Sequence, residues 1–458
     1  MKIWNLLSAS LVTASGIEIS ERKDFIRSRF RETWKSYVTN AFGADEINPL
    51  TGQAKSEVWG GWGVTLIDSL DTLWLLDMKE EFTEAVKKIS KVDFSRGKHV
   101  SSFFEVTIRN LGGLISAFDL SGEEILLKKA KDLADVLLKD FNSPSGFPYT
   151  NFDFKTRKPV PEADASLANV GSCQLEFARL SQLTGDPKYV TVALRVYDVL
   201  DRNKKGPGLY YSTVDVNTGN FSSETLTYGG YGDSFFEYLV KLRILLGPTK
   251  GRKYLRMFDE SIATMKRSLV SRCKDSVCIG KLEQGMYLSE TEHLMFFVPG
   301  MLLLGEEFLP KSRMGKLGLE LLDGFIALQQ SIPTGLAPES VSFSSSSPLR
   351  IQNPHNSLRP ELAESLFYAH RFTNDSLYRE KCWDLFVGFD RYTRTRFGYA
   401  EYRDVTSTKK SANLEGNMPS YFLAETFKYL YLCQAPESVL PLDKFVLNTE
   451  AHPFRIPH

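Results

Sequence analysis

The sequence has no excess of charge of either sign: 56 Lys and Arg balance 56 Asp and Glu over 458 residues. Polyanion binders carry a basic excess, so no nucleic-acid partner is expected. Cysteine is sparse at five and histidine at six. No Cys or His pair stands at ligand spacing beside a second pair, which argues against a structural zinc site of the Cys/His type. Beyond the first residues no apolar run is long enough to cross a bilayer, so no stable membrane span is expected. What is present, 42% hydrophobic, 24% charged and 12% aromatic residues, is the composition of a folded globular protein.

An odd cysteine count leaves at least one of Cys173, Cys273, Cys278, Cys382 and Cys433 free or paired outside the chain. Cys273 and Cys278 flank a short polar stretch and read either as a local disulfide or as two free thiols; their spacing leaves both open. The start carries one basic residue, a short apolar stretch and then Ala14-Ser15-Gly16. Residues 1–16 therefore read as a secretory leader, with a frayed N-terminal helix as the alternative. The sequons Asn220-Phe221-Ser222 and Asn374-Asp375-Ser376 agree with passage through the secretory pathway. No composition shift marks a boundary, so residues 17–458 read as a single catalytic domain, and as a monomer.

Turn signals recur at roughly 60-residue intervals: Leu120-Ser121-Gly122-Glu123, Leu183-Thr184-Gly185-Asp186, Leu246-Gly247-Pro248, Leu304-Gly305-Glu306 and Phe372-Thr373-Asn374-Asp375. Gly or Asn suits the left-handed residue that ends a helix, and the acidic residue or Pro after it suits the start of the next. Apolar residues repeat at helical spacing on both sides, as Leu111, Leu114, Ile115 and Phe118 do before Gly122 and Ile125, Leu126 and Ala130 after it. Each unit reads as a helical hairpin, and stacked hairpins form either an open solenoid or a closed α/α barrel. Four stretches read as irregular loops: 142–146, 217–223, 343–354 and 406–419.

Acidic residues recur early in the first helix of several hairpins, each among apolar neighbours: Glu105, Glu176, Asp233 with Glu237, Glu361 with Glu364, and Glu425. A charge in an apolar run is costly to bury unless it is paired or used, and five equivalent cases point to one acidic pocket. Glu105 and Arg109 stand four apart, so the guanidinium can orient the carboxylate. Glu361 and Glu364 stand three apart and repel, which predicts a raised pKa for at least one. Paired carboxylates in a pocket are what glycoside hydrolysis needs. Of the aromatics nearby, Phe104, Phe235, Tyr238, Tyr421 and Phe422 read first as core and second as faces for sugar rings.

Seven motifs in order carry a resemblance from about Arg22 to Pro457. They are 65–73 (TLIDSLDTL), 104–113 (FEVTIRNLGG), 232–234 (GDS), 292–294 (EHL), 334–339 (TGLAPE), 358–361 (LRPE) and 448–453 (NTEAHP). The chain resembles glycoside hydrolase family 47, the class I α-1,2-mannosidases that trim N-glycans. The resemblance implies an all-α fold, an (α/α)7 barrel of helical hairpins with a few short strands in loops. It implies inverting, calcium-dependent release of terminal mannose from high-mannose N-glycans on glycoproteins, in the lumen of the endoplasmic reticulum or Golgi or after secretion.

By the same resemblance Glu105 matches the general acid, Glu361 the general base that activates water, and Asp233 a third essential carboxylate; either Glu105 or Asp233 handles the leaving-group proton. Thr449 matches the residue that binds Ca2+ through its hydroxyl and carbonyl, and Glu364, Glu425 and Glu450 those that hold the ion's water shell. Arg109, Tyr231, His293, Glu339, Arg359 and Tyr421 match the sugar-binding set, and Glu176 a further acidic pocket position. An inverting enzyme would hold Glu105 and Glu361 roughly 6.5–9.5 Å apart.

The chain departs from the family pattern at three places. Tyr231 stands where the endoplasmic-reticulum enzymes have Arg, which implies relaxed choice of glycan branch. Phe296 replaces a frequent Cys, so a usual disulfide is absent and stability there must come from elsewhere. Pro419 replaces a common Glu before Ser420. A degradation-enhancing mannosidase-like protein and an inactive mannose-binding lectin are the alternatives, and retention of Glu105, Asp233 and Glu361 together weighs against the lectin.

Overall fold

Helices that bury one stripe alternate along the chain with helices buried on nearly every side. Lys79–Ile89 covers only Phe82, Ala85, Val86 and Ile89, whereas every residue of Val298–Glu306 but the last is buried. The first pattern fits an outer layer with one face in water, the second an inner layer with neighbours all round. The computed structural model, which describes residues 16–274 and 276–457, resolves this alternation into two concentric rings. Of the expected leader, all but Gly16 lies outside the described residues.

Among the described residues seven helical segments form the inner ring. In chain order they are Val64–Asp68 with Leu70–Leu75; Phe103–Glu105 continuing through Val106–Leu111 and Gly112–Ser121; Leu167–Gly171 with Gln174–Thr184; Asp233–Lys250; His293–Phe297 with Val298–Glu306; Glu361–Thr373; and Phe422–Thr426 with Phe427–Gln434. The outer ring is Arg22–Ala41, Lys79–Ile89, Glu124–Leu137, Lys188–Asn203, Arg252–Ser268, Met314–Ser331 and Ser376–Tyr392. Each inner helix packs on the next, the last packs back on the first, and Arg22–Ala41 covers the last one from outside. The hairpins therefore close into an (α/α)7 barrel.

Four of the five expected turns have the expected geometry: Gly122, Gly185, Gly247 and Asn374 all take positive φ at hairpin bends. Gly305 does not. It lies inside Val298–Glu306, and the left-handed residue of that bend is Arg313. A Cβ at Gly305 would stand 2.5 Å from the Phe258 ring and 2.7 Å from the Met314 sulfur. This glycine is needed for close helix packing, which local pattern does not distinguish from a turn. The 343–354 stretch is likewise not irregular: Ser340–Ser344 pairs with Ser347–Asn353 as a β-hairpin. Its serine-rich composition masks the strand.

Short strands lead directly into inner helices. Val100–Ser102 runs into Phe103, Asp164–Ser166 into Leu167, and Glu290–Glu292 into His293, each pinned by an antiparallel partner. Their pairing fixes where each inner helix begins, and the acidic motifs sit at those beginnings. Cys273–Cys278 closes the hairpin Val270–Cys273/Ser276–Ile279, and Cys382–Cys433 ties an outer helix to an inner one; Cys173 is free and buried. Phe296 stacks on Phe325 of the outer helix at 4.0 Å and on His293 at 4.8 Å. No helix among the described residues is long and apolar enough to cross a membrane.

Candidate active site

Glu105, Asp233 and Glu361 stand near the N-termini of the second, fourth and sixth inner helices. Alternate positions in a ring of seven bring three carboxyls around one opening. Glu105 and Glu361 keep side-chain exposures of 22% and 13%, so neither is sealed in the core. Ser102 accepts the Glu105 amide at 3.3 Å and so caps that helix start. Asp233 accepts its neighbour's Ser234 amide at 2.7 Å. Burial, reinforced by the nearby Glu237 and Glu361 charges, raises the Asp233 carboxyl to about 7.

Each of the other two carboxyls has a cationic or imidazole partner. His293 Nδ1 lies 2.8 Å from Glu361 Oε2, and the His293 amide donates to the Glu339 carbonyl at 2.8 Å. Arg109 Nε donates to Glu105 Oε2 at 2.7 Å, while its Nη1 reaches Glu450, and Ser420 at 3.4 Å. Burial alone would lower the guanidinium; Glu105, Glu450 and Asp68 hold it well above its ordinary value. The i,i+4 reading of Glu105 and Arg109 is borne out.

The other residues expected to bind sugar are held by contacts of their own. Arg359 Nε makes a forked contact with Glu339, at 3.1 and 2.8 Å. Burial would raise the Glu339 carboxyl, but Arg359 and His293 draw it down. Tyr421 donates its hydroxyl to the Ser357 carbonyl at 2.6 Å and turns its ring under Arg109. Phe235, Tyr238 and Phe422 are core residues, buried to 1% or less, so stacking surfaces are left to half-buried Phe104 and Tyr421. Tyr231 projects at the rim, 67% exposed and at φ 74°. Its carbonyl accepts the Ala168 amide at 2.9 Å, which holds this left-handed residue in place.

The floor is built by the β-hairpin Phe445–Leu447/Pro453–Arg455, whose tip carries Asn448 to His452 into the barrel. Asn448 donates to the Ile108 carbonyl at 3.0 Å and to Glu176 at 2.7 Å, and Thr449 donates its amide to the Tyr238 hydroxyl at 3.4 Å. The glycines of the 104–113 motif make room for this tip. A Cβ at Gly112 would stand 2.7 Å from Asn448 Nδ2, and one at Gly113 2.8 Å from the Ile67 carbonyl oxygen.

Buried carboxyls crowd one another on this floor. Burial, together with Glu237 and Glu361, raises Glu364 well above its ordinary value. Burial with Glu361 and Glu364 does the same to Glu425, and burial with Asp68 and Glu425 to Glu450, against the pull of Arg109. The repulsion expected between Glu361 and Glu364 is thus present. An all-oxygen set of carboxylates, hydroxyl and carbonyl whose charges oppose one another fits a hard divalent cation.

Several residues of this floor had no assigned role in the sequence. His452 places Nδ1 2.7 Å from Asp71 and Nε2 3.0 Å from Asp68, so both ring nitrogens face carboxylates. Burial alone would lower the imidazole, yet Asp71 and Asp68 hold it above its ordinary value. Burial likewise opposes the Asp71 charge, but Lys428 at 2.9 Å and His452 draw its carboxyl down to about 2. Glu237 and Lys241 form a second sealed ion pair, and Lys241 also donates to the Asn448 carbonyl at 3.3 Å. The only local signal was the i,i+4 spacing of Glu237 and Lys241. Glu176 is raised to about 7 by burial despite hydrogen bonds from Tyr238 and Asn448, and it braces the hairpin tip.

Comparison with known proteins agrees with this architecture. The chain is 38% identical over 448 residues to the mannosyl-oligosaccharide 1,2-alpha-mannosidase MNS1 of Arabidopsis thaliana, covering 95% of this chain and 79% of the relative. It is 36% identical to the endoplasmic reticulum mannosyl-oligosaccharide 1,2-alpha-mannosidase of Homo sapiens, covering 96% of this chain and 65% of the relative. The fold superposes on an alpha-1,2-mannosidase from Trichoderma reesei with a TM-score of 0.90 at 29% identity, over 95% of this chain and 99% of that one. The family profile described as glycosyl hydrolase family 47 matches residues 29–456. Ordered motifs, barrel and carboxyl ring converge with these matches, and the chain belongs to glycosyl hydrolase family 47.

Proposed function

We propose that the chain is an exo-acting α-1,2-mannosidase that trims terminal mannose from high-mannose N-glycans on glycoproteins, by inverting and calcium-dependent hydrolysis. The carrying observation is the placement of Glu105, Asp233 and Glu361 on alternate inner helices around one opening, in a member of this family. The proposed setting is the lumen of the secretory pathway or the medium outside the cell.

In this reading Glu361 takes a proton from water as the water attacks the anomeric carbon, and His293 fixes the carboxylate's direction. The leaving oxygen needs a proton from the other side. Glu105 is engaged by Arg109 at 2.7 Å, whereas Asp233 has no cationic partner among the described residues and is held near 7 by burial. Asp233 is therefore the better-suited proton carrier, with Glu105 steering it and the substrate. Arg359, fixed by its fork to Glu339, and the Tyr421 ring would seat the terminal sugar. Thr449 would hold Ca2+ through its hydroxyl and carbonyl, with Glu364, Glu425 and Glu450 holding the ion's water shell; the ion would supply positive charge beneath the sugar. At the rim Tyr231 offers a ring face instead of the donors of an Arg, which supports trimming of more than one branch.

The test is mannose release from a nine-mannose N-glycan by the purified protein, with calcium, with excess chelator, and in Glu361→Gln. Release that needs calcium and is lost in the variant is expected, with a product ladder running beyond one mannose. A ladder that stops after one mannose removes the role given to Tyr231. Glycan binding without any release would replace the enzyme reading with the lectin.

A further inference from the structure

A group of partly exposed side chains has no part in the chemistry above. His355, Glu401 and Glu415 each offer one ligand atom, and these atoms all lie within 4.8 Å of one another. Their backbones are fixed side by side. Asn356 and Tyr402 exchange hydrogen bonds at 2.8 and 2.9 Å, Tyr402 bridges to Leu414, and the Glu415 amide donates to the Glu401 carbonyl at 3.0 Å.

Each of the three also has a hydrogen-bond partner outside the group. Ser357 Oγ lies 3.1 Å from His355 Nδ1, Arg403 Nε donates to Glu415 Oε1 at 2.9 Å, and Asn417 Nδ2 donates to Glu401 Oε2 at 3.0 Å. Asn417 is itself held by Lys55, whose Nζ donates to its Oδ1 at 2.7 Å. Metal ligands are oriented by such outer contacts, which leave the inner atom of each ligand directed at one point. His355 Nε2 and Glu415 Oε2 are 3.2 Å apart. Two ligands of a tetrahedral ion at about 2.0–2.1 Å would stand about 3.3 Å apart.

We propose that His355, Glu401 and Glu415 form a metal site for a divalent transition cation of the Zn2+ type, separate from the calcium expected on the floor. One imidazole and two carboxylates suit such an ion, whereas calcium takes oxygen ligands alone. Three protein ligands leave a coordination position for water or a sugar hydroxyl. The ion would tie the 353–359 segment to the 401–417 segment. The first carries Arg359, and its Ser357 carbonyl takes the Tyr421 hydroxyl, so occupancy would stiffen the seat of the terminal sugar. The ligands come from two segments far apart in the chain, and for that reason no spacing motif announces them.

The full-length protein, stripped of metals and reloaded with calcium, is titrated with Zn2+ by calorimetry and by competition with a chromophoric zinc indicator. One equivalent is expected to bind in the micromolar range or tighter. His355→Ala and the isosteric Glu401→Gln are each expected to weaken it by at least about tenfold. X-ray absorption of the zinc-loaded wild type should show imidazole scattering that disappears in His355→Ala. Should His355→Ala fail to fold, Glu401→Gln alone decides. Absence of Zn2+ binding in the wild type, or binding unchanged by Glu401→Gln, overturns the site and leaves a His355–Glu415 hydrogen bond.

Discussion

His293 presents Nδ1 to Glu361 Oε2 at 2.8 Å while its own ring stacks on Phe296. The stack fixes the imidazole, and the imidazole fixes the carboxylate. If Glu361 activates water, His293→Ala releases that carboxylate from its attacking geometry, and kcat should fall by about 10²-fold. His293→Asn keeps a donor near the Nδ1 position and should recover part of the loss. Steady-state kinetics on an α-1,2-linked mannose disaccharide separates this positioning role from direct sugar contact. A rise in KM with kcat preserved would assign His293 to the sugar instead.

Asp233 and Glu105 differ in what surrounds them, and pH distinguishes their roles. A proton donor must be protonated, and Asp233 loses its proton as pH rises through about 7. The rate kcat/KM should therefore fall on the alkaline side with a limb near pH 7. Asp233→Asn should remove this limb along with about 10²–10⁴-fold of the rate. A limb near 7 that persists in the residual activity of Asp233→Asn would move the proton to another group.

The site was legible where its geometry is local. Glu105 and Arg109 share a helical face, Glu361 and Glu364 crowd one another, and Gly122, Gly185 and Asn374 bend the chain as their residue types suggest. Contacts across the barrel left no trace in any window of sequence. Nothing near Asp68 or Asp71 indicates that His452, at the other end of the chain, sits between them. Gly305 shows the limit from the other side, since a glycine needed for packing and one needed for a bend look alike until the Phe258 ring is seen against it. Family resemblance supplied the expected roles, and the structure supplied their partners.

Lys428 is sealed in the floor, with its ammonium 2.9 Å from Asp71 and 2.7 Å from the Ala451 carbonyl. Lys428→Met would leave the Asp71 charge to His452 and the Ser116 hydroxyl. Removing one partner from a buried pair costs about 3–5 kcal/mol. The variant should unfold at markedly lower denaturant, with the change in midpoint rather than in slope. The wild-type pair should also be acid-sensitive. Asp71 titrates at about 2 when folded and at its ordinary value when unfolded, so its stabilisation is present above pH 4 and is lost as pH falls toward 2.

Asp140 has the opposite sign. It is fully buried with no cationic partner among the described residues, and burial with the nearby Glu162 charge raises it to about 9 against a weaker opposing pull from the Tyr149 backbone. The unfolded chain gives up this proton near pH 4, while the folded chain keeps it until about pH 9. The unfolded state is thus stabilised relative to the folded one over that whole interval, and the wild-type residue weakens the fold increasingly as pH rises. Asp140→Asn removes the titration and keeps the shape. It should stabilise the protein by of order 2–4 kcal/mol at pH 7, with little gain at pH 4. Thermal unfolding of both proteins from pH 4 to 9, at fixed saturating calcium, measures the difference. A gain that grows with pH identifies the buried proton as the cause, whereas an equal change at every pH would trace it to packing around Tyr149 and Glu162.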